Sequence, residues 1–335
     1  MKLVQTDAFK ITAFVVGVCV LGALLAPMIY EVGQLLVERG TLEGGLLNSI
    51  HESMERAKFS RYFNRAILVA ALLLIFPAIL WIRGPKKEGR EQPLGSSRSQ
   101  RLLDSLLLKP NQHRFVHLGL GFLFAAGTLL GLGVIYVIVG YYRFWDEHDP
   151  YLSIVLGALG SGLAVALLEE FVFRGALFAL VLRTVSPLKT LLFLSAFFAL
   201  VHFLKPPEGL EMPPVNWSTG FWMLGQIFGQ FGDWKFLAAE FGLLFSVGLI
   251  LGYTRLKTQS LWLGIGLHAG WVFGIKTYSA ITRKNAPLAE MLPWAGPNLK
   301  IGFWSFVVVL ATGVTIWIFL RSRISRSSLA PIKEE

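Results

Sequence analysis

The stretch ALLEEFVFRGALF, residues 166–178, sets Glu169, Glu170 and Arg174 among Ala, Leu, Val and Phe. Glu170 precedes Arg174 by four residues, the better order for a helical ion pair. Glu169 is turned about 100° from Glu170 on a helix and shares its face with Val172 and Phe173. The spacing therefore predicts that Glu170 and Arg174 neutralise each other while Glu169 faces a cavity. An ionised group at the centre of a membrane helix costs about 2.5–3.5 kcal/mol on insertion scales, a cost that marks function by default. The plainer alternative puts all three charges in the headgroup layer, where a long helix emerges.

Partners for these charges are few. Of six histidines, His51, His113, His117 and His148 fall in loops or at the edges of apolar runs. The other two fall inside such runs. FFALVHF places Phe198 and His202 one turn apart on one helix face. GIGLHAGWVF places His268 beside Gly266 and Gly270, a small-xxx-small pair that permits close helix approach. Taken singly, each histidine reads as a hydrogen-bonded residue of the interior. Taken with Glu169 they form a set. Along their axes, Glu169 lies about 21 Å from Arg183, His202 about 20 Å from Lys189 and His268 about 14 Å from Gln259. These depths overlap, so one Glu and two His from three helices can share a polar pocket.

Such a pocket suits peptide hydrolysis, which needs water, a base and support for developing negative charge. A carboxylate held away from bulk water gains basicity, and an adjacent imidazole can orient the attacking water. No Ser or Cys nucleophile is required, and the only cysteine, Cys19, is remote in sequence. Two His and one Glu are also a catalytic zinc set. HExxH is absent, so Glu169, His202 and His268 would have to ligate from separate helices. The cofactor is thus either none or one divalent metal such as zinc, and both remain open.

The elements that must position these residues are membrane helices. Of 335 residues, 54% are hydrophobic and 16% charged, against about a quarter charged in soluble domains. Apolar runs near 18 residues recur, each long enough to cross about 30 Å of hydrocarbon. The fold class expected is all-α and polytopic, with about eight transmembrane helices near 9–30, 66–82, 115–140, 152–182, 189–204, 236–254, 260–276 and 301–320, and a catalytic pocket between them. The first run is too long for a signal peptide and is kept as a mature span. The run at 152–182 would be about 46 Å of helix, longer than the core is thick. Residues 46–65 read as one interfacial amphipathic helix, and 205–235, rich in Pro and Trp, as an interfacial segment.

Charge sets the expected orientation. The linker from Arg83 to Arg114 carries eight Lys and Arg against three acids and should be cytoplasmic. YYRFWDEHDP is net acidic and should face outward. Both termini are then cytoplasmic; Arg283 and Lys284 are the outward exception, and Glu240 falls at the outer interface. The +10 net charge belongs to cytoplasmic loops and implies no nucleic acid. The organisation reads as N-terminal spans over 1–114, a membrane core over 115–320 and a basic tail over 321–335.

EEFVFR, FALVH and the later SLWLGIGLHAG, each in a separate apolar run, resemble EExxxR, FxxxH and the last histidine region of the CAAX-protease and bacteriocin-processing (CPBP or Abi) intramembrane endopeptidases. The likeness covers about residues 150–275. It implies a membrane protease that cuts a membrane-associated or lipidated protein or peptide, in a bacterial cell membrane, with Glu169 as base, His202 holding water, His268 supporting the oxyanion, and Glu170, Arg174 and Phe198 as support. That family has been described both as metal-dependent and as glutamate-dependent. Its members usually carry Asn or Asp four residues after the last His. Here that position is Val272, which cannot hydrogen-bond through its side chain, so Trp271 becomes a candidate donor. Two other classes fit part of the pattern: a non-catalytic peptide-binding or immunity protein, favoured by Val272, and a proton-coupled transporter, disfavoured by the lack of an inverted repeat.

Overall fold

The computed structural model describes residues 7–41, 48–83, 113–182, 185–204, 206, 210–229 and 234–328. Nearly all of the basic linker and the end of the tail lie outside them. Among the described residues the chain is helical apart from one two-stranded ladder. Four stretches are long and apolar enough to cross a membrane: Thr12–Glu38, Arg114–Ile138, Tyr151–Val181 and Phe303–Arg321. Pro187–His202 is a shorter apolar helix. Helices also occupy the other expected spans, but polar residues dilute them: α3 (Phe59–Arg83) opens with Arg61 and Arg65, α9 (Trp234–Thr258) ends with Arg255 and Lys257, and α10 (Trp262–Ile281) carries His268, Lys276 and four glycines.

The chain forms two compact units, Met1–Glu91 with Val201–Trp234, and Gln92–Leu200 with Lys235–Glu335. In the first, α1 (Asp7–Glu38) and α3 make an antiparallel hairpin, with Gly17 against Leu74, Gly22 against Ile67 and Gly33 against Tyr62. The helix α8 (Thr219–Gly229) joins them through Gly220, where any Cβ would strike the Ala23 backbone. Ala23, Ala26, Phe63, Ala66, Met223 and Ile227 are the buried centre. The amphipathic helix expected over 46–65 is instead two helices. The short α2 (Asn48–Glu55) stops before Lys58, and the Arg56 guanidinium folds back onto the Glu52 carbonyl (3.1 Å) and carboxylate (3.0 Å).

The second unit is organised around α10. The helix α4 (Arg114–Ile138) lies parallel to it: Gly266 meets the Leu118 carbonyl, Gly270 the Phe122 carbonyl, and Gly274 the Leu129 side chain. A Cβ at Gly266 or Gly270 would stand 2.2 or 2.4 Å from those oxygens, so only glycine permits this spacing. On another face, Gly162 of α5 (Tyr151–Glu169) sits against the Ala269 carbonyl, and α5 runs antiparallel to α10. The helices α7 (Pro187–His202) and α9 are likewise antiparallel, with Ser195 at Gly248 and Leu191 at Gly252.

At the far end of α4 and α10, strands β1 (Tyr142–Phe144) and β2 (Thr282–Lys284) pair antiparallel, an element the hydropathy pattern did not announce. The loop beyond them contains the one-turn α11 (Leu288–Met291) and leads to α12 (Phe303–Ser328). Tyr142 anchors this loop by donating to the Gly296 carbonyl (2.7 Å). Glu240 of α9 pairs with Lys300 at 3.2 Å. Gly270→Leu should therefore destabilise the second unit by at least about 1–3 kcal/mol, the ordinary cost of overpacking. Thermal unfolding of the purified protein in detergent would show it as a lowered midpoint, and an unchanged midpoint would contradict this helix contact.

Candidate active site

The expected 31-residue span exists as one apolar stretch, Tyr151–Val181, but it is not a uniform α-helix. After α5 the backbone turns into a π-helix over Glu170–Leu177 and returns to α geometry in α6 (Phe178–Val181). Wide turns of this kind are rare and recur at functional sites. The extra backbone per turn shifts the side chains that follow around the axis, so regular α spacing does not fix the faces beyond this segment.

The outcome is a charged cluster on α10. Glu170 is fully buried and accepts from Arg174 Nη1 at 3.0 Å, as its spacing required. The same oxygen, Oε1, lies 3.0 Å from His268 Nδ1. His268 is 6% exposed, and its other nitrogen, Nε2, faces Glu169 Oε2 at 3.8 Å. Glu169 keeps a quarter of its side chain accessible, against 1% for Glu170. The expectation that the two glutamates part company holds for exposure but not for partners: one imidazole stands between both carboxylates.

Small and aromatic residues shape the cluster. Gly264 lies beside Glu170, and a Cβ there would stand 3.2 Å from Oε2. That oxygen is buried without a hydrogen-bond partner among the described residues. Phe198 lies between the charges, with the Arg174 guanidinium 4.2 Å from its ring centre and the His268 ring edge-on at 6.1 Å. A guanidinium on an aromatic face is stabilised by the ring quadrupole without needing water. His202 closes α7 one turn beyond Phe198, where the chain passes from the second compact unit to the first. Val272 offers no hydrogen bond, but Trp271, one turn from His268, has a buried indole N–H with no partner among the described residues. The described His, Cys, Asp and Glu side chains include no group of three placed to hold a metal ion.

One contributor gives no sign of its role in the sequence. Arg255 looks like a basic residue flanking a span at the water interface, yet only 4% of it is exposed. Its Nε donates to the backbone carbonyl of Arg174, inside the π-helix, and its guanidinium lies 4.5 Å from the Phe178 ring centre. A π-turn rearranges carbonyls that an α-helix would satisfy, and Arg255 meets one of them from a neighbouring helix. The only sequence signal was Phe178 and Arg255, far apart, each ordinary alone.

Residues 151–274 match the model of the Rce1-like type II CAAX prenyl endopeptidases, which supports a place for this stretch of the chain in the CAAX protease family. The match begins with α5 and takes in Glu169, Arg174, Phe198, His202 and His268. No curated protein and no solved structure matches the chain. The matched domain and the four long apolar helices fit an integral membrane protein of the protease class.

Two outcomes follow from the geometry. Arg174→Leu leaves Glu170 buried without its cation and should cost about 3–5 kcal/mol, while Glu170→Gln with Arg174→Leu should cost clearly less than the two single changes summed. Urea or thermal unfolding in detergent measures both, and strict additivity would contradict the pairing. Arg255→Gln should lower kcat at least about tenfold with KM nearly unchanged, because a misplaced catalytic group affects turnover before binding. Arg255→Lys, able to donate to the same carbonyl, should recover part of the loss. Equal loss in both variants, through KM alone, would remove this positioning role.

Proposed function

We propose that the chain is an intramembrane endopeptidase in which Glu169 activates water and His268 supports the intermediate. The observation that carries this reading is the imidazole held at Nδ1 by Glu170 with Nε2 turned to Glu169. At 3.8 Å the Nε2 and Oε2 atoms are too far apart for a direct hydrogen bond. A water oxygen at about 2.8 Å from each fits at the apex between them.

In the reaction, Glu169 accepts a proton as the water oxygen bonds to the scissile carbonyl carbon. The carbonyl oxygen becomes an oxyanion, and His268, protonated at Nε2 and fixed through Nδ1, donates to it. Glu169 then passes its proton to the departing nitrogen as the C–N bond breaks. His202 is assigned the second hold on the water, on the family resemblance and its place one turn from Phe198. Trp271 supplies the oxyanion donor that Val272 cannot, since its buried indole N–H has no other use among the described residues. One such donor is typically worth about 2.7–4 kcal/mol of transition-state stabilisation. Glu170, Arg174 and Phe198 hold the imidazole and do no proton transfer. No step is routed through a metal.

The substrate is a membrane-associated or lipidated protein or peptide. All eight long helices span the bilayer of a bacterial cell, with both termini cytoplasmic. Two observations support this sidedness: the basic linker and tail, and helix directions in the second unit, where α4 and α10 run together and α5 runs against them.

Cleavage of a diverse peptide library, lipidated and plain, by the full chain in liposomes tests the proposal. Glu169→Gln and His268→Ala, each checked for folding, should lose at least about a hundredfold in rate, and Trp271→Phe a similar factor. Chelator should leave the wild-type rate unchanged. A folded Glu169→Gln variant that still cleaves would sink the mechanism; a folded wild type that cuts nothing but retains peptide would favour a binding protein.

A further inference from the structure

Away from this cluster, the second unit carries an apolar groove of about 340 Å³ between α7, α9 and α12. Leu191 lines it from α7, Leu249 and Ile250 from α9, and Leu310, Val314 and Trp317 from α12. The helices α9 and α12 touch where Gly313 meets Ile250; a Cβ there would stand 2.9 Å from the Ile250 side chain. Val314 and Trp317 are exposed, so the groove opens on the surface of the helix bundle. It runs from Ser246 to Tyr253 on α9, about 10 Å, a third of a hydrocarbon core.

The two ends differ. At one, the only polar group, the Ser246 hydroxyl, donates to the Gly242 carbonyl at 2.8 Å and is thereby removed from the surface. At the other, Lys257 lies 5.8 Å from the Tyr253 ring centre and Arg321 lies 5.2 Å from that of Trp317. The Arg321 charge also bears on the Tyr253 phenol. Neither cation is paired with a carboxylate among the described residues. Tyr, Trp, Lys and Arg gathered at one depth are the signature of a headgroup interface.

We propose that this groove is a binding site for an anionic phospholipid, with one acyl chain along α9 and the phosphate between Lys257 and Arg321. Charge complementarity selects this occupant. An apolar trough accepts any hydrocarbon, but two uncompensated cations at one mouth favour a chain that carries a negative head. On the sidedness proposed above, that mouth faces the cytoplasmic leaflet. The site is separate from catalysis and stands whether or not the chain cleaves peptides.

Native mass spectrometry of the full chain in detergent, titrated with phosphatidylglycerol or phosphatidylcholine of matched chains, tests it. Phosphatidylglycerol should bind at least about tenfold tighter, the ratio corresponding to 1.4 kcal/mol. Lys257→Gln with Arg321→Gln should abolish the preference, and Val314→Trp, which fills the trough, should weaken both lipids. If the double variant does not fold, either single variant should still lose most of the preference. Equal binding of the two lipids, or a preference that survives these variants, would overturn the proposal. So would a prenylated peptide that competes for the groove independently of Lys257 and Arg321, which would make the trough a substrate subsite.

Discussion

The second unit depends on a buried carboxylate with two partners. Glu170 has no access to water, and its Oε1 contacts both Arg174 and His268 at 3.0 Å. Removing one partner leaves a charge whose desolvation nothing else offsets. The pair therefore constrains three helices together: Arg174 in the π-helix, His268 on α10, and Phe198 of α7 pressed between the two. Fixing Nδ1 also fixes the direction of Nε2. That is how an internal ion pair decides which way the imidazole points.

Close approach makes this contact possible. Glycines at 266, 270 and 274 bring α4 within backbone distance on one face of α10, and Gly162 does the same for α5 on another. Gly264 leaves room for the Glu170 carboxylate. In a bilayer there is little hydrophobic gain from bringing helices together, so contact area and polar pairs must hold them. The glycine faces supply the first and the Glu170 cluster the second. The groove on α12 adjoins the contact of Gly313 with Ile250.

Arg255 shows how the π-helix is maintained. A wide turn is less stable than α geometry and persists only where its surroundings determine it. Arg255 binds a carbonyl within it and rests on Phe178 just after it. A second buried cation without a described acid partner is costly, and its hydrogen bond and aromatic contact offset that cost. The arrangement links the base of α9 to the segment that follows Glu169.

Much of this was legible in order. Apolar runs announce membrane helices because backbone polar groups in hydrocarbon must be satisfied internally. The i,i+4 order of Glu170 and Arg174 announces their pairing, and Gly266 with Gly270 announces close approach at His268. These are local properties, set by residue type and helical period. What sequence could not show is where the period changes. Regular 100° steps place the two glutamates on different faces, yet both reach one imidazole because His268 of α10 stands between them. Nor could it distinguish Arg255, buried against a distant carbonyl, from Lys257, two residues later and exposed. Both read as interface cations, because burial of a long side chain depends on which helix stands beside it. Residue chemistry was in the sequence; helix phase and neighbour identity were decided only by tertiary contact.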